Sequence, residues 1–174
     1  MTGPRKRPSF DPYGTLAALE RERVSYVVIG AFARVIEGTD EITRGIDLTP
    51  STKQENLRRL DLALESMNAR RADGSAASLL TTDFETERLV ELSSDFGETK
   101  VVPAPVGTRG YDDLRRDARH EPIGHGLRPL IASLDDLARM LSALHREQDI
   151  PRLIMTRRLI ELEHNRSRGL SLER

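Results

Sequence analysis

The sequence predicts an α+β fold, a mixed β-sheet flanked by helices and closed by two helices at its C-terminal end. Three observations carry this reading. Short β-rich runs interleave with amphipathic stretches at uneven spacing. The last part of the chain reads as two consecutive helices. No internal repeat or low-complexity tract interrupts the 174 residues, a length that suits one domain.

Taken in order, residues 1–10 hold two prolines and several basic residues and are expected to form a flexible arm. Leu16, Leu19 and Val24 predict a first helix over about residues 12–23. Tyr26–Ile29 reads as a short buried strand, followed by a helix over residues 31–37 that Gly38 closes. A second strand is expected over residues 42–49, ending at Pro50. Ser51 with Gln54 then resembles a capping box for a helix over residues 52–68. Leu57, Leu60, Leu64 and Met67 form one apolar stripe on that helix. Strands are expected over residues 88–93 and 98–102, joined by a turn at Asp95-Phe96-Gly97. A short helix should follow over residues 111–118, then a hairpin with arms at residues 123–125 and 127–132. Ser133 should cap the next helix, whose first turn carries Asp135 and Asp136 near its positive end. The last helix is expected over residues 150–164. The chain therefore divides into an arm (1–10), a domain (11–164) and a flexible tail (165–174).

Composition narrows function. The hydrophobic fraction of 37% supports a core, and a charged fraction of 32% supports a solvated surface. No apolar run is long enough to cross a bilayer, so no membrane role is expected. Absence of cysteine excludes disulfides and thiolate metal sites, and cytoplasm is the default location. A net charge of −1 gives no global reason for strong nucleic-acid binding. Lysine occurs only at Lys6, Lys53 and Lys100; the remaining positive charge is arginine, which suits planar recognition of phosphate. A GC-rich bacterial genome explains the same bias.

One constellation carries chemistry. Val27-Val28-Ile29-Gly30-Ala31 runs strand into helix, and Ile42-Thr43-Arg44-Gly45-Ile46-Asp47-Leu48 follows as a strand with an acid near its end. Downstream come Glu55-Asn56-Leu57 at a helix start, Gly107 to Leu114 after Pro-Ala-Pro, Ser133-Leu134-Asp135-Asp136-Leu137, and Arg146-Glu147-Gln148-Asp149. In this order the pieces resemble the minimal nucleotidyltransferases of the AbiEii and MenT type, the toxin half of type IV toxin–antitoxin pairs. The resemblance covers residues 26–161.

It implies a nucleotidyltransferase-like sheet and a substrate cradle drawn from Gly30, Ala31, Thr43, Arg44, Arg146 and Asp149. It also implies a magnesium site built from two or three carboxylates, which would neutralise charge on the transferred α-phosphate. Here the sequence departs from the pattern. Gly45 stands where the resemblance puts the first acid of an i, i+2 pair, leaving Asp47 as the remnant. Lys100 stands at the third acid, although Glu98, on the same strand face, is an alternative surviving acid. Leu141 stands where a phosphate-binding lysine belongs.

The expectation is therefore a degenerate nucleotidyltransferase without a metal, in which Lys100 pairs with Asp47. Such a protein would act by binding a cognate protein partner, a nucleotide or RNA. Two alternatives stay open. An active enzyme would hold Mg²⁺ through Asp47 with Glu98 or Asp95 and use a nucleoside triphosphate to modify tRNA or protein. An antitoxin-like or structural interaction module would do neither. Plain structural roles also compete: a tight turn at Gly30, a solvated Arg44, an i, i+3 salt bridge between Arg146 and Asp149. His120, His125, His145 and His164 match no metal spacing and read as surface or structural residues.

Overall fold

The structure is a computed structural model that describes residues 9–172; the basic run Met1–Arg7 lies outside the described residues. Helix α1 (Pro12–Arg21) starts where Asp11 accepts a hydrogen bond from the Gly14 N–H at 3.1 Å, with proline in the first turn. Ahead of it, the Phe10 ring meets Phe32 edge-on at 5.7 Å, and the Asp11 N–H donates to the Phe96 carbonyl at 2.8 Å. The expected arm over residues 1–10 is thus wrong at its end, because an aromatic contact docks Phe10 on the core.

The chain continues through β1 (Tyr26–Ile29), α2 (Gly30–Glu37), β2 (Gly45–Pro50) and α3 (Gln54–Ser66). Gly38 closes α2 in the left-handed conformation, φ +113°. The predicted stripe of α3 is the buried one, with Leu57, Leu60, Leu64 and Met67 all at most 5% exposed. Then come β3 (Val90–Ser94), β4 (Gly97–Val101), α4 (Tyr111–Leu114), β5 (Arg119–His120), β6 (Leu130–Ile131), α5 (Leu134–Ala143) and α6 (Ile150–Leu172). Ser133 caps α5 by accepting from the Asp136 N–H at 3.1 Å.

Six strands form one mixed sheet in the order β3-β4-β2-β1-β6-β5. The outer and central pairs β3/β4, β1/β2 and β5/β6 are antiparallel, whereas β2/β4 and β1/β6 are parallel. The parallel β2/β4 pairing requires the long crossover that α3 supplies. In β2, Ile46 and Leu48 are fully buried, while Gly45 and Asp47, on the opposite face by alternation, are half-buried. That second face is where the site lies.

Several expectations are corrected. Ser51 caps no helix: its N–H donates to the Ser25 carbonyl at 3.0 Å as an extension of the sheet, and α3 begins at Gln54 without a side-chain cap. Buried Asn56 closes that corner instead. Its Oδ1 accepts from Ser25 N–H at 2.7 Å, and its Nδ2 donates to the carbonyls of Ser25 and Ser51 at 2.9 and 2.7 Å. The expected arm over residues 127–132 does hold a strand, β6, but its partner is Arg119–His120 rather than residues 123–125, which contribute only an isolated bridge between Gly124 and Leu127. The tail expected to be flexible from residue 165 continues α6 as helix to Leu172.

Candidate functional site

The register of three strands aligns charged side chains in one row. Glu91 of β3 lies opposite Lys100 of β4, and Lys100 lies opposite Asp47 of β2. Cross-strand partners point to the same face, so a lysine position stands between two acidic ones. The expected direct Lys100–Asp47 pair is not formed. Nζ of Lys100 lies 3.6 Å from Oε1 of Glu91, and it acts on Asp47 through space. Burial pushes the Asp47 carboxyl above its ordinary range, with Lys100 and Arg34 pulling partly the other way. One register step along, Gly45 lies opposite Glu98.

Two glycines define this end of the sheet. Gly30, at φ +71°, turns β1 into α2, and a Cβ there would lie 2.5 Å from Oδ2 of Asp47. The Asp47 carboxylate therefore packs on bare backbone at the start of α2, where the helix dipole favours negative charge. A Cβ on Gly45 would lie 2.3 Å from the carbonyl oxygen of Glu98 and 2.8 Å from its carbonyl carbon. Backbone, unlike a side-chain tip, cannot swing away. No acid fits at position 45 unless β2 and β4 move apart.

A second charged group closes the cleft from the other side. Arg34, buried in α2, donates from Nε and Nη2 to both oxygens of Glu41 at 2.8 and 2.9 Å, and Thr39 Oγ1 adds a third bond at 2.7 Å. Arg152 reaches Glu41 at 3.3 Å through Nε and Asp149 at 2.8 Å through Nη1. Arg146 donates from Nε to the other Asp149 oxygen at 2.6 Å. Burial alone would push the Asp149 and Glu41 carboxyls up. The arginines overcome this and hold both below the usual range. Asp149 is 2% exposed, whereas the Arg146 and Arg152 side chains are 48% and 45% exposed. A buried carboxylate, Asp149, and a partly buried one, Glu41, thus hold arginines, of which Arg146 and Arg152 remain half-exposed.

Between these groups lies a cleft of about 450 Å³. Of the predicted residues, Gly30, Ala31, Asp47, Lys100, Leu141, Arg146 and Asp149 line it together. Thr43 and Arg44 do not. The Thr43 hydroxyl donates to the Gly45 carbonyl at 2.9 Å, which serves the strand start, and Arg44 is exposed outside the cleft. Glu98 also lies outside, in a shallow depression with Glu91 and Lys100. Sequence reading missed Arg34, Glu41, Arg152 and Glu91. Arg152 had a signal, its i, i+3 spacing from Asp149; Arg34 and Glu41 had none. His120 and His125 have structural partners, the Arg128 carbonyl at 2.9 Å and the Tyr13 ring at 4.3 Å between centroids.

No family model matches the sequence, and no curated protein matches it. Solved structures do. The antibiotic-resistance factor ANT(2'')-Ia, solved in solution, matches with TM-score 0.55 and 16% identity over 92% of each chain. The chain has a nucleotidyltransferase-like fold. A nucleotidyltransferase candidate from Thermotoga maritima matches with TM-score 0.48 and 15% identity over 93% of this chain and 99% of that one. In the nucleotidyltransferase-like frame, magnesium is the implied metal, and it needs several carboxylate oxygens to give up its waters. The residues here do not fit it. Asp47 is the one carboxylate on the cleft face of β2, Lys100 stands beside it, and Gly45 admits no second acid. Among the described residues, no cluster of three or more metal-ligating side chains exists. No helix of the described residues is long and apolar enough to cross a membrane.

Proposed function

We propose that this protein is a non-transferring relative of the AbiEii and MenT type of nucleotidyltransferase, which binds a phosphorylated ligand in the cleft without metal. The row Glu91–Lys100–Asp47 carries this reading: a lysine neighbours Asp47 across the β2/β4 register, at a position where transfer chemistry would call for another carboxylate. The Arg146–Asp149–Arg152 group supports the binding half, because its arginines are oriented by a buried acid and accessible from the cleft.

The test has two arms. With tRNA, magnesium and each labelled nucleoside triphosphate, no transfer is expected; transfer that disappears in Asp47→Ala overturns the proposal. In EDTA, inorganic phosphate and AMP should shift the NMR signals of Arg146 and Arg152. Their failure to do so removes the binding half. A second reading, a partner-binding module, draws on the exposed Ile150, Ile154 and Leu162 of α6, which are 51%, 62% and 55% exposed. A stoichiometric partner whose binding is lost in Ile154→Asp, with the cleft silent to phosphate, would favour it.

A further inference from the structure

We infer that the ligand of this cleft has a single anionic head on an apolar body, and that nucleoside triphosphates are excluded. The inference rests on the metal-free binding reading above and names its ligand class.

Charge is the first argument. Arg34, Lys100, Arg146 and Arg152 face Glu41, Asp47 and Asp149, so four cations meet three carboxylates. Glu91 holds Lys100 from the sheet edge as well. The surplus is at most one positive charge. A nucleoside triphosphate brings about four negative charges, which magnesium normally offsets. A single carboxylate or phosphate head, with about one to two negative charges, comes far closer to what this site offers. Arg146 and Arg152 are where it would bind: each commits Nε and one further atom at most to Asp149 and Glu41, and each is half-exposed. Arg146 has no second acceptor among the described residues.

The opposite wall is the second argument. Leu141 and Met140 of α5 form an apolar floor, 5% and 8% exposed. Above it, Leu89, Val106 and Leu144 line the same cleft while remaining 44%, 55% and 39% exposed. Three large apolar side chains left in water around one opening, beside a cationic head site, suit an occupant that is apolar at one end and anionic at the other. A triphosphate tail laid along Leu141 would lose its water without gaining a partner.

The experiment is isothermal titration of the full chain in EDTA with octyl phosphate below its micelle concentration, octanoate, inorganic phosphate, octyl glucoside and ATP. Octyl phosphate or octanoate should bind at least about tenfold more tightly than inorganic phosphate, and the pair distinguishes a phosphate from a carboxylate head. ATP and octyl glucoside should bind more weakly than the better amphiphile. Val106→Ser, which removes apolar surface without adding charge, should weaken amphiphile binding several-fold more than inorganic phosphate binding; Arg146→Ala should weaken both. ATP as the tightest ligand without metal overturns this inference and leaves metal-free binding standing. Silence from every anion overturns both. Sedimentation of the wild type as a dimer that Val106→Asp dissociates, with no amphiphile bound, shows that a second copy covers the apolar lip and also overturns it.

Discussion

The cleft has two charged halves of opposite character. At the sheet end, Lys100 lies between Glu91 and Asp47, and glycines at 30 and 45 pack against neighbouring atoms with no room for a Cβ. At the helix end, Glu41 and Asp149 hold Arg34, Arg146 and Arg152 through charge-assisted bonds of 2.6 to 3.3 Å. The first half removes anionic oxygens; the second presents cationic nitrogen. The contrast teaches that two ends of one cleft can carry opposite electrostatics, because different elements build the two halves. Strand register sets one, and α2 with the approach to α6 sets the other.

The contrast breaks most sharply at Gly45. Replacing it with aspartate restores the acid that the resemblance expects, but its Cβ would meet the Glu98 backbone at 2.3 Å. Gly45→Asp should cost about 3 kcal/mol in urea unfolding, at the top of the overpacking range. If it instead folds with wild-type stability and binds Mn²⁺, the sheet half is not locked against metal. In the helix half, Asp149→Ala removes the acceptor shared by Arg146 and Arg152. The arginines are half-exposed, so the loss should be moderate, about 2 kcal/mol, with phosphate affinity falling about tenfold. A stability loss without any change in phosphate binding would make Asp149 purely structural. Gly30→Ala should cost about 1.5 kcal/mol, since its φ of +71° disfavours a side chain. The contact with Asp47 Oδ2 adds little if that side-chain tip can turn aside.

Much of the sheet half was legible in the sequence. Two short β-runs bounded by glycine and proline fix a period of two, and that period puts Gly45 with Asp47 and Glu98 with Lys100 on shared faces. What the pattern cannot reveal is that Gly45 meets the backbone of Glu98, because strand separation is a tertiary quantity. The helix half was legible only as far as Arg146 and Asp149, which are local neighbours. Glu41 joins Arg34 of α2 to Arg152 of α6 across more than a hundred residues, and no periodicity records such a meeting. The misplaced hairpin has another cause: two-residue strands are too short for alternation to show. The tail beyond His164 looked frayed because it is polar, yet arginine and leucine there have good helix propensity, and α6 runs through to Leu172.

The smallest effect sharpens the comparison by asking what Asp47 does to its own fold. Burial raises the pKa of its carboxyl above the ordinary value in the folded protein, so the ionised form is the disfavoured one there. Below the ordinary carboxylate range the group is neutral folded and unfolded, and contributes no penalty. As pH rises through the raised folded pKa, a stability penalty appears and persists at neutral pH. Asp47→Asn should therefore raise the melting temperature by a few degrees at about pH 7 and by nothing at about pH 3. Lys100 offsets part of the penalty through space, so the same substitution in a Lys100→Met background should gain more. A gain in melting temperature that does not depend on pH would mean that shape, not charge, governs this position; a loss at neutral pH would mean that Lys100 holds Asp47 as a stabilising partner after all.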